Sequence, residues 1–531
     1  MILWSDPNMR LSSAKVILAV LPVALFSAAL ILTHGRGPYY FRNNFDPEYI
    51  YLLNSLSLLT LHAPAHTDHP GTTLQLLGAV VVWFQWLVRF LVVDRQPLSV
   101  SVLAHPEEYL RGINLLLNVL VGVALYWSAW SVYRRSGSLA AALLLQATVL
   151  IYLQTFLAIT GVSPEPLLIA TGLVLMVPMA QMVLGEGETA ANGNRLAVAA
   201  GVIVGFGLIT KITFAPLAAV ILLFPRNSQK WRFGIAALAA SIVFLLPVAV
   251  RFPTMASWFT SLLTHEGHYG TGRVGLPGAH ELAANFLSLW RDEPLFFCFL
   301  GLYAAALVLL PPAAKRARPL LLAACLAILA ETAMVVKHPS THYLLPALIL
   351  TAFVNAALWA TLPRPVCMAV LLALAATGLA HNAWAIGVWT DSVRTDRRNL
   401  AELRAFEDTL TGCQIIGTYR SSQQIYALSF ANDYSAAVHR ETLEQVYPRA
   451  IHYDPFSHRF LSFAYQEMTG DVKRRVTSGQ CILVEGTQLD PSVLKQLVTD
   501  GLRFTTLLTS ADPISPSDAT ALYRLQPAGA P

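Results

Sequence analysis

Long apolar runs recur from residue 16 to about 389: 16–33, 112–133, 139–157, 165–184, 196–210, 212–224, 232–250, 294–310, 319–336, 342–361 and 366–389. About 20 helical residues cross the hydrocarbon core of a bilayer. These runs therefore predict about eleven transmembrane helices. A further run, 72–93, is apolar but carries Gln75, Gln85 and Arg89 with Trp83, Phe84 and Trp86, a mixture suited to the membrane interface. Basic residues decide its placement. If 72–93 lies on the membrane and the N-terminus is inside, the clusters at Arg134-Arg135, Arg226–Arg232 and Lys315–Arg318 all stay in the cytoplasm. Making 72–93 a span would put them outside. The first 33 residues resemble a signal peptide, with Arg10 and Lys15 before the apolar run, but no small-x-small site directly precedes His34. The segment is read as an uncleaved first helix.

With that topology the unusual polar stretches share the outer side. They are the first loop (34–111), the Gly161–Glu165 turn, Lys211, the 251–293 loop and the Lys337–His342 turn. Charge and amide content rise beyond residue 390, and strand-like runs (413–419, 481–486) stand among helical stretches (397–410, 491–500). The expected organisation is a transmembrane domain, 1–390, followed by an α/β domain outside the cytoplasm, 391–531. Cys298, Cys325 and Cys367 fall in apolar runs, where a thiol behaves as a small hydrophobe. Cys413 and Cys481 each open a strand-like run, and an oxidising compartment would allow a disulfide between them. Sequence does not fix their separation.

Composition agrees. Of 531 residues, 55% are hydrophobic and 13% charged, against roughly 25% charged in soluble domains; mean hydropathy is +0.53. The net charge of +5 is small and no basic block is present, which argues against nucleic acid as a partner.

Each cluster has a plain structural reading beside a chemical one. Asp46-Pro47-Glu48 is a good helix start, with an aspartate N-cap, proline at the first helical position and an acid in the first turn. An aspartate fixed there is also a well-oriented base. Thr67-Asp68-His69-Pro70-Gly71 reads as a turn into the next helix. Asp46, Glu48, Asp68 and His69 could together take a divalent metal, though no diagnostic ligand spacing is present. His265-Glu-Gly-His268 lacks the spacing of zinc proteases, and Gly270–Gly275 matches a dinucleotide fingerprint without the strand that should precede it. Gly161–Glu165 offers another outer carboxylate, Glu165, and is read as a turn and helix start. Gly201 and Gly205 are read as a helix-packing pair.

Four features in order carry a family resemblance. They are a first helix followed by an acidic pair, the His69-Pro70-Gly71 segment before a helix, GFGLITKITFAPLA around Lys211, and VKHPSTHYLLPALIL around Lys337 to Pro346. Over about residues 15–390 this resembles the protein O-mannosyltransferases and the bacterial lipid A aminoarabinose transferases of the GT-C superfamily. The resemblance implies an external active site, a polyprenyl-phosphate sugar donor, and Asp46 as the base. Pro47 between the two acids and Gly71 in place of a second proline depart from the family pattern. They leave open the acceptor and the choice between Asp46 and Glu48.

The chemistry leads the same way. Nucleotide sugars are cytoplasmic and no nucleotide-binding domain is present, so glycosyl transfer outside needs a membrane-borne donor. Its lipid phosphate is a good leaving group. The site then needs one carboxylate to take the acceptor proton and cations for the departing phosphate. Candidates for the phosphate are Lys211, Arg251, Lys337 and His338, with His342 and Tyr343 in the same turn. For Lys211 a snorkelling helix-end lysine is an equal reading. The 251–293 loop is expected to cover the donor, with His265, Glu266, His268 and Arg273 as contacts. The expected reaction is an inverting transfer to a lipid, glycan or protein acceptor at the outer face of a bacterial cytoplasmic membrane. A flippase or transporter of lipid-linked glycans, or an oligosaccharide ligase or polymerase, is the competing reading.

Overall fold

The computed structural model describes residues 7–41, 45–68, 71–185, 190–275, 277–309, 317–361, 364–418, 421–454, 457–487, 501–509 and 520–527. The chain is a helical polytopic membrane protein with a sheet domain towards its C-terminus. Among the described residues, eight helices are long and apolar enough to cross a membrane. The pair Ala279–Asp292 and Pro294–Leu309, bent by 95°, would make a ninth.

The expected eleven are thus counted here over the described residues alone, and two of the expected runs take another form. The 139–157 run breaks at Ile151-Tyr152 into helices Leu139–Leu150 and Leu153–Ala158. At about 1.5 Å per residue the first piece falls well short of the ~30 Å hydrocarbon core. Ile212–Leu223 is a 3-10 helix of 12 residues. Conversely Thr72–Val92, expected to lie along the interface, is a 21-residue helix that meets the length and hydropathy of a span.

The chain forms two compact units, and they do not follow a single cut near residue 390. One comprises 1–32, 67–74 and 114–386; the other comprises 33–66, 75–113 and 387–531.

In the first unit, helix Leu345–Thr361 is buried on every side from Leu345 to Leu358, as a helix hydrophobic all round should be. Helix Ala190–Thr210 packs closely on Asn227–Leu245. A Cβ at Gly201 would lie 2.3 Å from the Phe233 carbonyl oxygen, and one at Gly205 2.3 Å from that of Ala237. Only glycine lets these backbones approach so far. The interior also holds polar groups that the sequence reading placed only at one face. The Tyr303 hydroxyl donates to Asn355 Oδ1 at 2.8 Å, and Tyr152 and Thr351 share a hydroxyl bond of 2.7 Å. Glu331, fully buried, accepts the Ala347 backbone N–H at 3.1 Å.

The second unit is built on a mixed sheet of β1 (Gln414–Gly417), β2 (His452–Asp454), β3 (Arg459–Leu461), β4 (Ile482–Thr487), β5 (Leu502–Thr509) and β6 (Thr520–Pro527). The strand order is β3-β2-β1-β4-β6-β5; β1 is parallel to β2 and β4, and the other pairs are antiparallel. Because Gln414 pairs with Ile482, the residues just before these strands are neighbours. Cys413 and Cys481 are joined there, with Cα atoms 4.5 Å apart. The helical stretch expected at 491–500 lies outside the described residues.

Helix Phe45–Leu59 belongs to this second unit through buried polar anchors. Asn54 Nδ2 donates to the Tyr434 carbonyl at 3.1 Å while its Oδ1 accepts from the backbone N–H of Ala65 at 2.8 Å. Ser57 Oγ lies 3.0 Å from His439 Nε2. Burial lowers the His439 pKa to about 4, so its imidazole is neutral at pH 7.

Candidate functional site

In the first unit a cavity of about 450 Å³ opens between the 252–264 helix, the 265–275 loop, the 317–335 helix and the turn that follows it. Its walls are largely apolar, with Trp258, Leu262, Leu282 and Met334 among them. Asp68, Lys211, Lys337, His338 and Tyr343 supply the polar groups.

The cations are held differently. Lys211 caps the 3-10 helix with an extended backbone and is only 4% exposed. Its ammonium pairs with Glu165, 7% exposed, in the first turn of helix Pro164–Leu184. It also stands 4.5 Å from the centre of the Tyr343 ring, within cation–π reach. His342 Nε2 is 4.0 Å from the same Glu165 oxygen. Lys211 is therefore no snorkelling lysine but half of a buried pair, its charge largely matched. Lys337 instead donates to a neutral group, the Leu262 carbonyl, at 2.5 Å. Within the cavity Lys337 is the cation better placed to receive an anion.

The 265–275 loop is an ordered hairpin. His265 bridges Val274, Glu266 N–H donates to the Arg273 carbonyl at 2.9 Å, and Gly267 N–H to that of Thr271 at 2.8 Å. Gly270 has φ +78, and a Cβ there would lie 2.8 Å from Leu262 N. The glycines of the fingerprint-like run thus serve a tight loop. His265, Glu266 and Arg273 form its stem and do not line the cavity, whereas Tyr269 at its tip does. His268 is placed only by its backbone, in a short 3-10 turn. Arg251 ends another 3-10 helix and is not a lining residue.

Asp46 and Glu48 belong to the second unit. Asp46 is exposed and its backbone is extended (φ −104, ψ 115), so the helix proper begins after it, as an N-cap residue requires. Glu48 is buried, with Oε1 2.6 Å from Arg36 Nη2 and Oε2 without a hydrogen-bond partner. Burial pushes its carboxyl up to about 7 against the opposing pull of the Arg36 guanidinium. A second clamp closes on the same stretch: Glu107 accepts from the Tyr39 backbone N–H at 2.9 Å and from the Tyr49 hydroxyl at 2.9 Å. Among the described residues no three His, Cys, Asp or Glu side chains gather closely enough to hold a metal ion. His69 lies outside the described residues.

Sequence reasoning read Glu165 as part of a turn and helix start, not as the partner of Lys211, and missed Tyr269. Glu165 left a signal: a carboxylate between two prolines at the head of an apolar run must find a cation when buried. Tyr269 left none, because only the loop's turn directs it.

No family model and no curated relative matches the chain. Among solved structures it is similar to the crystal structure of ArnT from Cupriavidus metallidurans bound to undecaprenyl phosphate. Identity is 14%, covering 95% of this chain and 97% of that one, with a TM-score of 0.47. The apo-state crystal structure of ArnT from the same organism matches at 14% identity over 80% and 86%, with a TM-score of 0.37. Likeness at this level assigns neither family nor activity.

Proposed function

We propose that this protein transfers a sugar from a polyprenyl-phosphate donor to an acceptor at the outer face of a bacterial cytoplasmic membrane. The observation that carries this reading is the cavity: apolar walls, with an ammonium that among the described residues donates to a carbonyl, fit a ligand with an apolar chain and an anionic head. Lys337 would take the donor phosphate and stabilise it as it leaves. The Lys211–Glu165 pair would hold Tyr343 and the end of the turn in place.

Asp46 is assigned as the base that removes the acceptor proton. It is exposed and fixed at a helix start, whereas Glu48 is buried against Arg36. Direct displacement with one carboxylate inverts the anomeric carbon. The polar side chains inside the bundle would suit a transporter, but Tyr303, Asn355, Tyr152 and Thr351 bond to one another, as packing networks do.

The test is a transfer assay with radiolabelled polyprenyl-phosphate sugar on the full-length protein, comparing Lys337→Ala, Asp46→Asn and Asp68→Asn. Loss of turnover in Asp46→Asn and a raised donor KM in Lys337→Ala are expected. Full activity in Asp46→Asn together with loss in Asp68→Asn would move the base to the carboxylate that lines the cavity. Bound donor translocated but never cleaved would establish the transporter reading.

A further inference from the structure

Tyr269 is the unusual residue of the cavity wall. It has a positive φ (+54), a conformation non-glycine residues rarely hold. The hairpin stem and the packing of Gly270 on Leu262 fix it there. Backbone held so firmly in a sparse region points to a role for the side chain it aims. One face of the ring is backed by His338, stacked with centroids 5.5 Å apart and planes inclined by 21°. The Tyr269 N–H donates to His338 Nε2 at 3.1 Å, which locks that arrangement. The residue nonetheless remains 60% exposed. A large aromatic left so open at the mouth of an apolar cavity is a surface awaiting a flat, partly apolar ligand group.

Its neighbour explains which group. The Lys337 ammonium rests on the Leu262 carbonyl, and Gly270, next to Tyr269, packs directly on Leu262. The ammonium and the aromatic ring thus share Leu262 as a neighbour and line the same cavity.

We propose that the open face of Tyr269 is the platform on which the donor's sugar ring stacks by its apolar C–H face while its phosphate sits on Lys337. This rests on the polyprenyl-phosphate reading above and adds to it the element that distinguishes a charged carrier from a bare one. A platform contributes affinity only when a sugar is present. A mere wall residue contributes equally to both ligands.

The experiment uses the full-length protein in lipid nanodiscs. It measures the KM for polyprenyl-phosphate sugar and the inhibition constant of sugar-free polyprenyl phosphate. Tyr269→Ala should raise the donor KM about 10-fold, the factor expected for one aromatic contact, and leave the inhibition constant unchanged. Tyr269→Asn, which tolerates positive φ, should do the same if the loop is intact, and Tyr269→Trp should stay near wild type. If both constants rise together, or neither moves, the platform is overturned and Tyr269 is only part of the wall. If sugar-free polyprenyl phosphate fails to bind the wild-type protein at all, the donor reading itself falls, a distinct result.

Discussion

The Lys211–Glu165 pair can be tested without knowing the substrate. Both side chains are less than a tenth exposed, at 5% and 9%, so neither charge has water to fall back on. Two unit charges about 4 Å apart attract by roughly 4 kcal/mol at an effective dielectric near 20. Removing one partner of a buried pair strands the other and typically costs about 3–5 kcal/mol. Lys211→Met takes the ammonium from Glu165 and leaves it facing His342 at 4.0 Å, an imidazole that carries charge only when protonated. Glu165→Gln leaves the ammonium with the Tyr343 ring. Each single variant should therefore lose about 3 kcal/mol or more in unfolding titrations in mixed detergent micelles. The double variant Lys211→Met/Glu165→Gln, which buries no charge, should return to within about 1–2 kcal/mol of wild type, because a neutral pair of similar volume is tolerated. Its donor KM should stay raised, since Tyr343 has lost the ammonium over its ring. Single variants that lose less than about 1 kcal/mol, as an exposed pair would, or a double variant whose loss equals the sum of the singles, would refute the reasoning.

Two other predictions concern the second unit. Glu48, raised to about 7 by burial, is protonated in the folded state and ionised in the unfolded one between about pH 4.5 and 7. The folded state then binds the extra proton, so this contribution is complete below about 4.5 and lost as pH rises to about 7, a change of roughly 3 kcal/mol. Glu48→Gln should flatten that part of the stability profile, and an unchanged slope would show that Glu48 stays ionised beside Arg36. The Cys413–Cys481 bridge closes a loop with a sequence separation of 68; chain entropy alone would assign it about 4 kcal/mol. Cys413→Ser and added reductant should lower thermal stability by the same amount and not add, and insensitivity to reductant would count against the bridge.

Much of the fold is legible in the chain. The apolar runs become helices wherever they are long and uninterrupted, because a helix satisfies its own backbone and needs only a hydrophobic surface to be buried. Gly201 and Gly205 foretell a close helix contact, and Asp46 takes the extended backbone its place before proline suggests. The break at Ile151-Tyr152 was not legible. Tyr152 is buried with its hydroxyl on Thr351, far along the chain, and that long-range bond carries no local signature. Nor does composition separate Thr72–Val92 from a span, since its polar residues are few and its partners are distant.

The candidate site divides in the same way. Sequence alone picked out the turns between apolar helices where charged residues cluster, and not the polar groups inside the bundle. It also named Lys211, Lys337, His338 and Tyr343, because charge and aromatics stand out against so apolar a background. Tertiary structure decided what each cation is free to do. It matched Lys211 with a carboxylate and left Lys337 on a carbonyl. It also took Arg251 and the hairpin stem out of the cavity wall and put Tyr269 into it. These distinctions depend on which residues meet across the bundle, and burial turns each such meeting into a difference of several kcal/mol. A sequence fixes which charges exist, and packing determines which are neutralised.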